Sequence, residues 1–127
     1  MSIYQFYLLI ELKQTEQHNR YSEAIYNAWD SYGIGRIITT QKWYIARLPK
    51  MFRKVVEPFD FELNTKKNND YFESLVNSSD ADYILISSHP YLQPNKTIAS
   101  KIHNLLINNT IRLVAEENNV LVYKINR

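Results

Sequence analysis

Ser87-Ser88-His89 places two hydroxyls and an imidazole directly after DYILI, a near-continuous apolar run. Thr39-Thr40 places two more hydroxyls after a second apolar run, RII. Hydroxyls donate and accept hydrogen bonds, and an imidazole exchanges a proton near neutral pH. No acidic partner for His89 is identifiable. Thr39, Thr40, Ser87, Ser88 and His89 are therefore read as a ligand-binding set, with no catalytic residue assigned. In open α/β sheets ligands gather beyond the carboxyl ends of strands. The five residues share a crevice if their two strands are neighbours across a switch point. The plainer alternative is that these hydroxyls satisfy backbone groups at the strand ends.

Other constellations are weaker. Lys50, Arg53 and Lys54 around Phe52 form a small basic and aromatic cluster, suited to contact with an anion or an anionic surface. Asp80-Ala81-Asp82 matches the D-x-D pattern of nucleotide-sugar enzymes. It precedes its strand, and is read as a polar lead-in. His18 and His103 stand among polar neighbours with no H-x-x-x-H or H-x-H spacing, so both are expected in solvent and no metal site is assigned. Asn77, Asn95 and Asn108 open N-x-[ST] sequons, from which no compartment is inferred.

Composition narrows the classes. The chain has 127 residues and 45% apolar content, which suits one domain spanning residues 1–127. A formal charge of +2 gives no argument for nucleic acid, although it does not exclude it. The absence of cysteine excludes disulfides, zinc–thiolate sites and thiol nucleophiles. Gly33 and Gly35 are the only two glycines, too few for a phosphate-cradling loop, so they are read as a helix stop and a tight turn. No cofactor is assigned. The apolar run from Phe6 to Ile10 is far shorter than the ~20 residues of a spanning helix. No secretory signal is visible, and the chain reads as soluble. Ten tyrosines suggest a surface for a protein partner or for self-association.

The elements that must position these residues follow from periodicity. RYSEAIYNAWDSYG is a helix with Ala24, Ile25, Ala28 and Trp29 on its apolar side. RIITT and RKVVE are short strands, the second closed by Pro58. Residues 59–69 form a polar connection. Asp70 to Ser78 is a helix burying Tyr71, Phe72, Leu75 and Val76. DYILISS is a strand buried on both faces. Asn95 caps a helix running to about Asn108, with Ile98, Ile102, Leu105 and Leu106 inward. Residues 110–116 and 120–126 form a hairpin around Asn118-Asn119. The remaining stretch, residues 41–48, reads as a short helix ending before Pro49, because no turn residue stands near Thr40-Gln41 to make a hairpin. The fold expected is α/β, a three-layer, mostly parallel sheet with a C-terminal antiparallel hairpin.

IITTQKWYIARLPKMFRKVV, YFESLVNSSDADYILISS and IRLVAEENNVLVYKIN together resemble the soluble extracytoplasmic C-terminal domain of polytopic glycosyltransferases of the dolichyl-phosphate-mannose mannosyltransferase type. The resemblance covers most of the chain. It implies a non-catalytic accessory or binding domain, because the membrane helices that carry that family's catalytic acid are absent from this sequence. With membrane contact expected only as part of a longer chain, the isolated chain is not expected to be an enzyme. If residues 41–48 were extended, the order would become β-α-β-β-α-β. That is an α+β ferredoxin-like fold, similar to small CRISPR-associated nucleases and VapD-type toxins, and it implies nucleic-acid processing. Those families carry an acidic residue near the end of the first strand. Glu11 is the nearest here, and the usual aspartate is missing. An orphan protein-interaction module is the third reading.

Overall fold

A computed structural model describes residues 20–39, 56–78, 80–88, 93–117 and 119–126. Its elements are α1 (Arg20–Tyr32), β1 (Arg36–Thr39), β2 (Val56–Pro58), α2 (Lys66–Ser78), β3 (Ala81–Ser87), α3 (Lys96–Ile107), β4 (Ile111–Glu117) and β5 (Val120–Ile125). The five strands form one open sheet in the order β2-β1-β3-β5-β4. β1 pairs in parallel with β2 and with β3. β5 is antiparallel to both β3 and β4. The architecture is thus mixed α/β. The expected C-terminal antiparallel hairpin is present and joins the sheet through β5 beside β3, so that among the described strands two pairings are parallel and two antiparallel. The ferredoxin-like alternative is corrected. It would leave RIIT unpaired with DYILIS, whereas Ile37 is in register with Tyr83 and Thr39 with Leu85. The segment 41–48, on which the two sequence readings turned, lies outside the described residues.

Each element has a local cause. α1 ends where Gly33 takes φ 101°, and the Gly33 N–H donates to the Trp29 carbonyl at 2.9 Å. Only glycine adopts that backbone without steric cost. Gly35 follows with a different constraint, because a Cβ there would meet the Asp82 carboxylate at 2.4 Å. That close approach lets Asp82 accept the Arg36 N–H at 3.2 Å. Asp82 is therefore a structural clasp at the amino end of β3, in keeping with its reading as a lead-in. α2 starts four residues earlier than the expected Asp70, at Lys66, because the Thr65 hydroxyl accepts the Asn68 N–H at 3.1 Å as a helix cap. α3 is capped as expected, with Asn95 Oδ1 accepting from the Ile98 N–H at 2.9 Å. Its far end closes through Asn109 at φ 58°, and the Thr110 N–H donates to the Leu105 carbonyl at 2.9 Å. The β4–β5 turn holds Asn119 at φ 63°.

Strand alternation separates two cores. On one face Ile37, Tyr83, Leu85 and Val122 pack with Ala24, Ile25 and Trp29 of α1. On the other, Ile38, Ile84, Ile86 and Tyr123 pack with Phe72 of α2 and with Ile98 and Ile102 of α3. Phe59 and Phe61 join the second core, their ring centroids 4.9 Å apart, so the stretch expected to be a polar connection carries two buried aromatics. Tyr71, expected inward, is exposed, and its hydroxyl donates to Glu57 Oε1 at 3.2 Å. Truncating one fully buried isoleucine costs about 2–5 kcal/mol. The exposed Lys66–Asp70 pair contributes well under that, so stability resides in the two cores.

Candidate functional site

β1 and β3 are parallel neighbours, and the strands that follow them in sequence lie on opposite sides of the pair, β2 beside β1 and the β4–β5 hairpin beside β3. Their carboxyl ends form a topological switch point, where open sheets leave a crevice. Of the five residues expected there, Thr39, Ser87 and Ser88 are described. Thr40 and His89 lie outside the described residues, as do His18, Glu11 and the basic cluster Lys50, Arg53 and Lys54.

Thr39 and Ser87 are both buried, and alternation puts them on the α1 face. Thr39 is fully buried, and among the described residues its Oγ1 has no hydrogen-bond partner. Its carbonyl accepts the Phe59 N–H at 2.8 Å. Ser88 is anchored by its backbone N–H, which donates to the Asn119 carbonyl at 2.9 Å.

A cavity of about 260 Å³ opens beside Ser87 and Ser88, between the end of β3 and α3. Its apolar wall is Ile86 and Leu121 from the sheet with Ile102 and Leu106 from α3. Ser88, Gln93, His103 and Tyr123 supply the polar groups. The structure therefore brings Ser87 and Ser88 to one cavity but leaves Thr39 outside its lining. His103, read from sequence as solvent-facing, is exposed and also lines the cavity. Burial, and secondarily the charge of Glu116, pushes the Tyr123 phenol up, so it remains a protonated donor across the physiological range.

Local chemistry builds this wall. Ala99, Ile102, His103 and Leu106 recur at helical spacing, so one stripe of α3 faces the cavity. Asn95 fixes the start of that helix beside Pro94. Its backbone N–H donates to the Phe61 carbonyl at 2.9 Å, and its side-chain amide donates to the Leu63 carbonyl at 3.0 Å and Asn69 Oδ1 at 3.2 Å. Asn69 in turn donates to Asn64 Oδ1 at 3.1 Å. This network ties α3, one wall of the cavity, to the start of α2.

A second cavity, of about 240 Å³, lies between α2 and α3. Phe72, Val76 and Leu105 floor it, and Asn77, Asn104 and Asn108 edge it. Lys101 and Glu73 pair with each other across the two helices, so the strongest polar groups there are already engaged. The cavity beside β3 is the better site because its lining is more apolar and holds no ion pair like that of Lys101 and Glu73.

Sequence reasoning missed Gln93, Ile102, Leu106, Leu121 and Tyr123 as site residues. Ile102 and Leu106 were legible only as a core stripe, and the pairing of β5 beside β3, which delivers Leu121 and Tyr123, has no local signal. Among the described residues no group of three His, Cys, Asp or Glu could hold a metal ion, and no helix is long and apolar enough to cross a membrane. Among the described tyrosines, Tyr83 and Tyr123 are core residues, whereas Tyr32 and Tyr71 are exposed. Comparisons of the chain with protein-family models, curated proteins and solved structures found no match.

Proposed function

We propose that this chain is a non-catalytic binding or accessory domain, of the kind that forms the soluble part of membrane glycosyltransferases, and that it works by holding a small ligand beside the carboxyl end of β3. The observation that carries this reading is the cavity of about 260 Å³ between the carboxyl end of β3 and α3, with Ile86, Ile102, Leu106 and Leu121 as its wall and Ser88, Gln93 and Tyr123 among its polar lining residues. Apolar pockets with a few convergent polar groups are the usual form of a small-molecule site. Two of the stretches that carry the glycosyltransferase likeness fall on regular elements. YFESLVNSSDADYILISS spans most of α2 and all of β3, and IRLVAEENNVLVYKIN spans the β4–β5 hairpin. We also read the sheet with a core on each face as three layers, α1 on one side and α2 with α3 on the other.

The test is a fragment screen read by amide and methyl chemical shifts. Binding by this site shifts Ile102, Leu106 and Ser88, and Ala99→Leu, which fills the cavity, abolishes the response while the fold persists. A screen in which every hit leaves these residues unmoved refutes the reading. Liposome flotation addresses the accessory role. The expected outcome is co-flotation of the longest natural chain but not of residues 20–127.

A further inference from the structure

The described lining of the cavity beside β3 contains no Asp, Glu, Lys or Arg. His103 is exposed at the rim, and the Tyr123 phenol stays protonated because burial and then Glu116 push it up. The wall is hydrocarbon from Ile86, Ile102, Leu106 and Leu121, and the polar groups are a hydroxyl at Ser88, an amide at Gln93 and the Tyr123 phenol. The space is open to solvent on one side, so a charge held there keeps part of its hydration, but against the hydrocarbon wall it finds no described carboxylate, lysine or arginine to replace the water it gives up. A neutral molecule loses little, and its one or two polar atoms find partners at the rim.

Size sets a second bound. An apolar cavity of about 150 Å³ accommodates benzene, so a space of about 260 Å³ takes roughly ten non-hydrogen atoms. Such a ligand is one ring with a short polar substituent, or an aliphatic unit of the same bulk.

We infer that the cavity selects a neutral, mainly apolar molecule of about ten non-hydrogen atoms bearing a hydroxyl, and discriminates against carboxylates, phosphates and ammonium groups of equal size. This rests on the reading of the cavity as a ligand site. It separates this cavity from the groove between α2 and α3, whose lining includes the Lys101–Glu73 ion pair.

Three probes of near-equal size test the inference: benzyl alcohol, benzoate and benzylamine, each titrated into methyl-labelled protein at neutral pH. The expected result is saturable shifts of the Ile102, Leu106 and Leu121 methyls with benzyl alcohol. The two charged probes bind at least tenfold more weakly, or leave these methyls unmoved. Ala99→Leu removes the benzyl alcohol response, and Ser88→Ala, a milder change at the rim, weakens it two- to fivefold. Equal or tighter binding of benzoate or benzylamine at the same methyls overturns the neutral-ligand inference while the site itself stands. Absence of any response from all three probes at these methyls overturns the site and the inference together.

Discussion

Replacing Thr39 with valine is expected to stabilise the protein. Thr39 ends β1, is fully buried, and its Oγ1 meets no partner among the described residues. A buried hydroxyl that forfeits its water without gaining a hydrogen bond costs about 1–3 kcal/mol. Valine has nearly the same shape, removes that cost and places a methyl in an apolar setting. Its β-branch suits the strand at least as well as that of threonine. A gain of about 1–2 kcal/mol follows, which for a chain of this length raises the thermal midpoint by roughly 3–10 °C. Thr39→Ser is the internal control. It keeps the hydroxyl, removes a buried methyl, and is expected to destabilise by about 1 kcal/mol. Urea unfolding by fluorescence and circular dichroism, with the slope of the transition checked for constancy, reads both variants. If Thr39→Val lowers stability as much as Thr39→Ser does, the hydroxyl is engaged and its assignment as an orphan at the switch point is wrong. Because Thr39 is outside the cavity lining, Thr39→Val should also leave benzyl alcohol binding unchanged.

Three further outcomes follow from the same structure. Gly35→Ala drives a Cβ into the Asp82 carboxylate and breaks its bond to the Arg36 N–H, so a loss of about 2–4 kcal/mol in urea unfolding is expected. Gly33→Ala has open space around its Cβ and costs only the left-handed backbone, about 1–2 kcal/mol; a reversed order of the two would contradict the clasp. Asn95→Ala removes the α3 cap and two amide hydrogen bonds, for an expected loss of about 2–3 kcal/mol. Asn95→Asp should recover the cap alone, and a neutral Asn95→Ala would show that the network does not anchor α3. Tyr83 has a phenol pushed up to about 12, by burial first and then by Asp82 and Tyr32, while its hydroxyl donates to the Gly33 carbonyl at 2.7 Å. The unfolded phenol ionises near 10, so the unfolded chain loses its proton first as pH rises. The stability from the neutral phenol is intact below pH ~10 and is lost between about 10 and 12, by about 2–3 kcal/mol in all. Urea midpoints from pH 9 to 11.5 should fall less steeply in Tyr83→Phe, and parallel slopes would refute this origin.

Much of the fold was legible because its signals are local. The stripe Ala24, Ile25, Ala28 and Trp29, the stop at Gly33, the cap at Asn95 and the doubly buried run of β3 each depend on neighbours within a turn or two. The polar connection at 59–69 misled because Asp60, Asn64, Asn68 and Asn69 outnumber the two aromatics, although Phe59 and Phe61 are what the second core uses. The Thr65 cap was hidden by the two lysines after it, which are unusual in a first helical turn. Pairing order was the least legible part. Nothing within the hairpin sequence says that β5, and not β4, lies against β3, yet that choice brings Tyr123 and Leu121 to the cavity. Ser87 and Ser88 could be singled out as candidates because they end a buried strand, and the structure places both beside the cavity. Ile102, Leu106 and His103 were not, because an amphipathic helix does not reveal which part of its apolar stripe meets a void.

The central claim is that the space between the end of β3 and α3 receives a small molecule. Intermolecular nuclear Overhauser effects from bound benzyl alcohol test it most directly. The account predicts contacts from the ring protons to the methyls of Ile102, Leu106 and Leu121. Contacts instead to Phe72, Val76 and Leu105 in the groove between α2 and α3, or none at saturating probe, would contradict it.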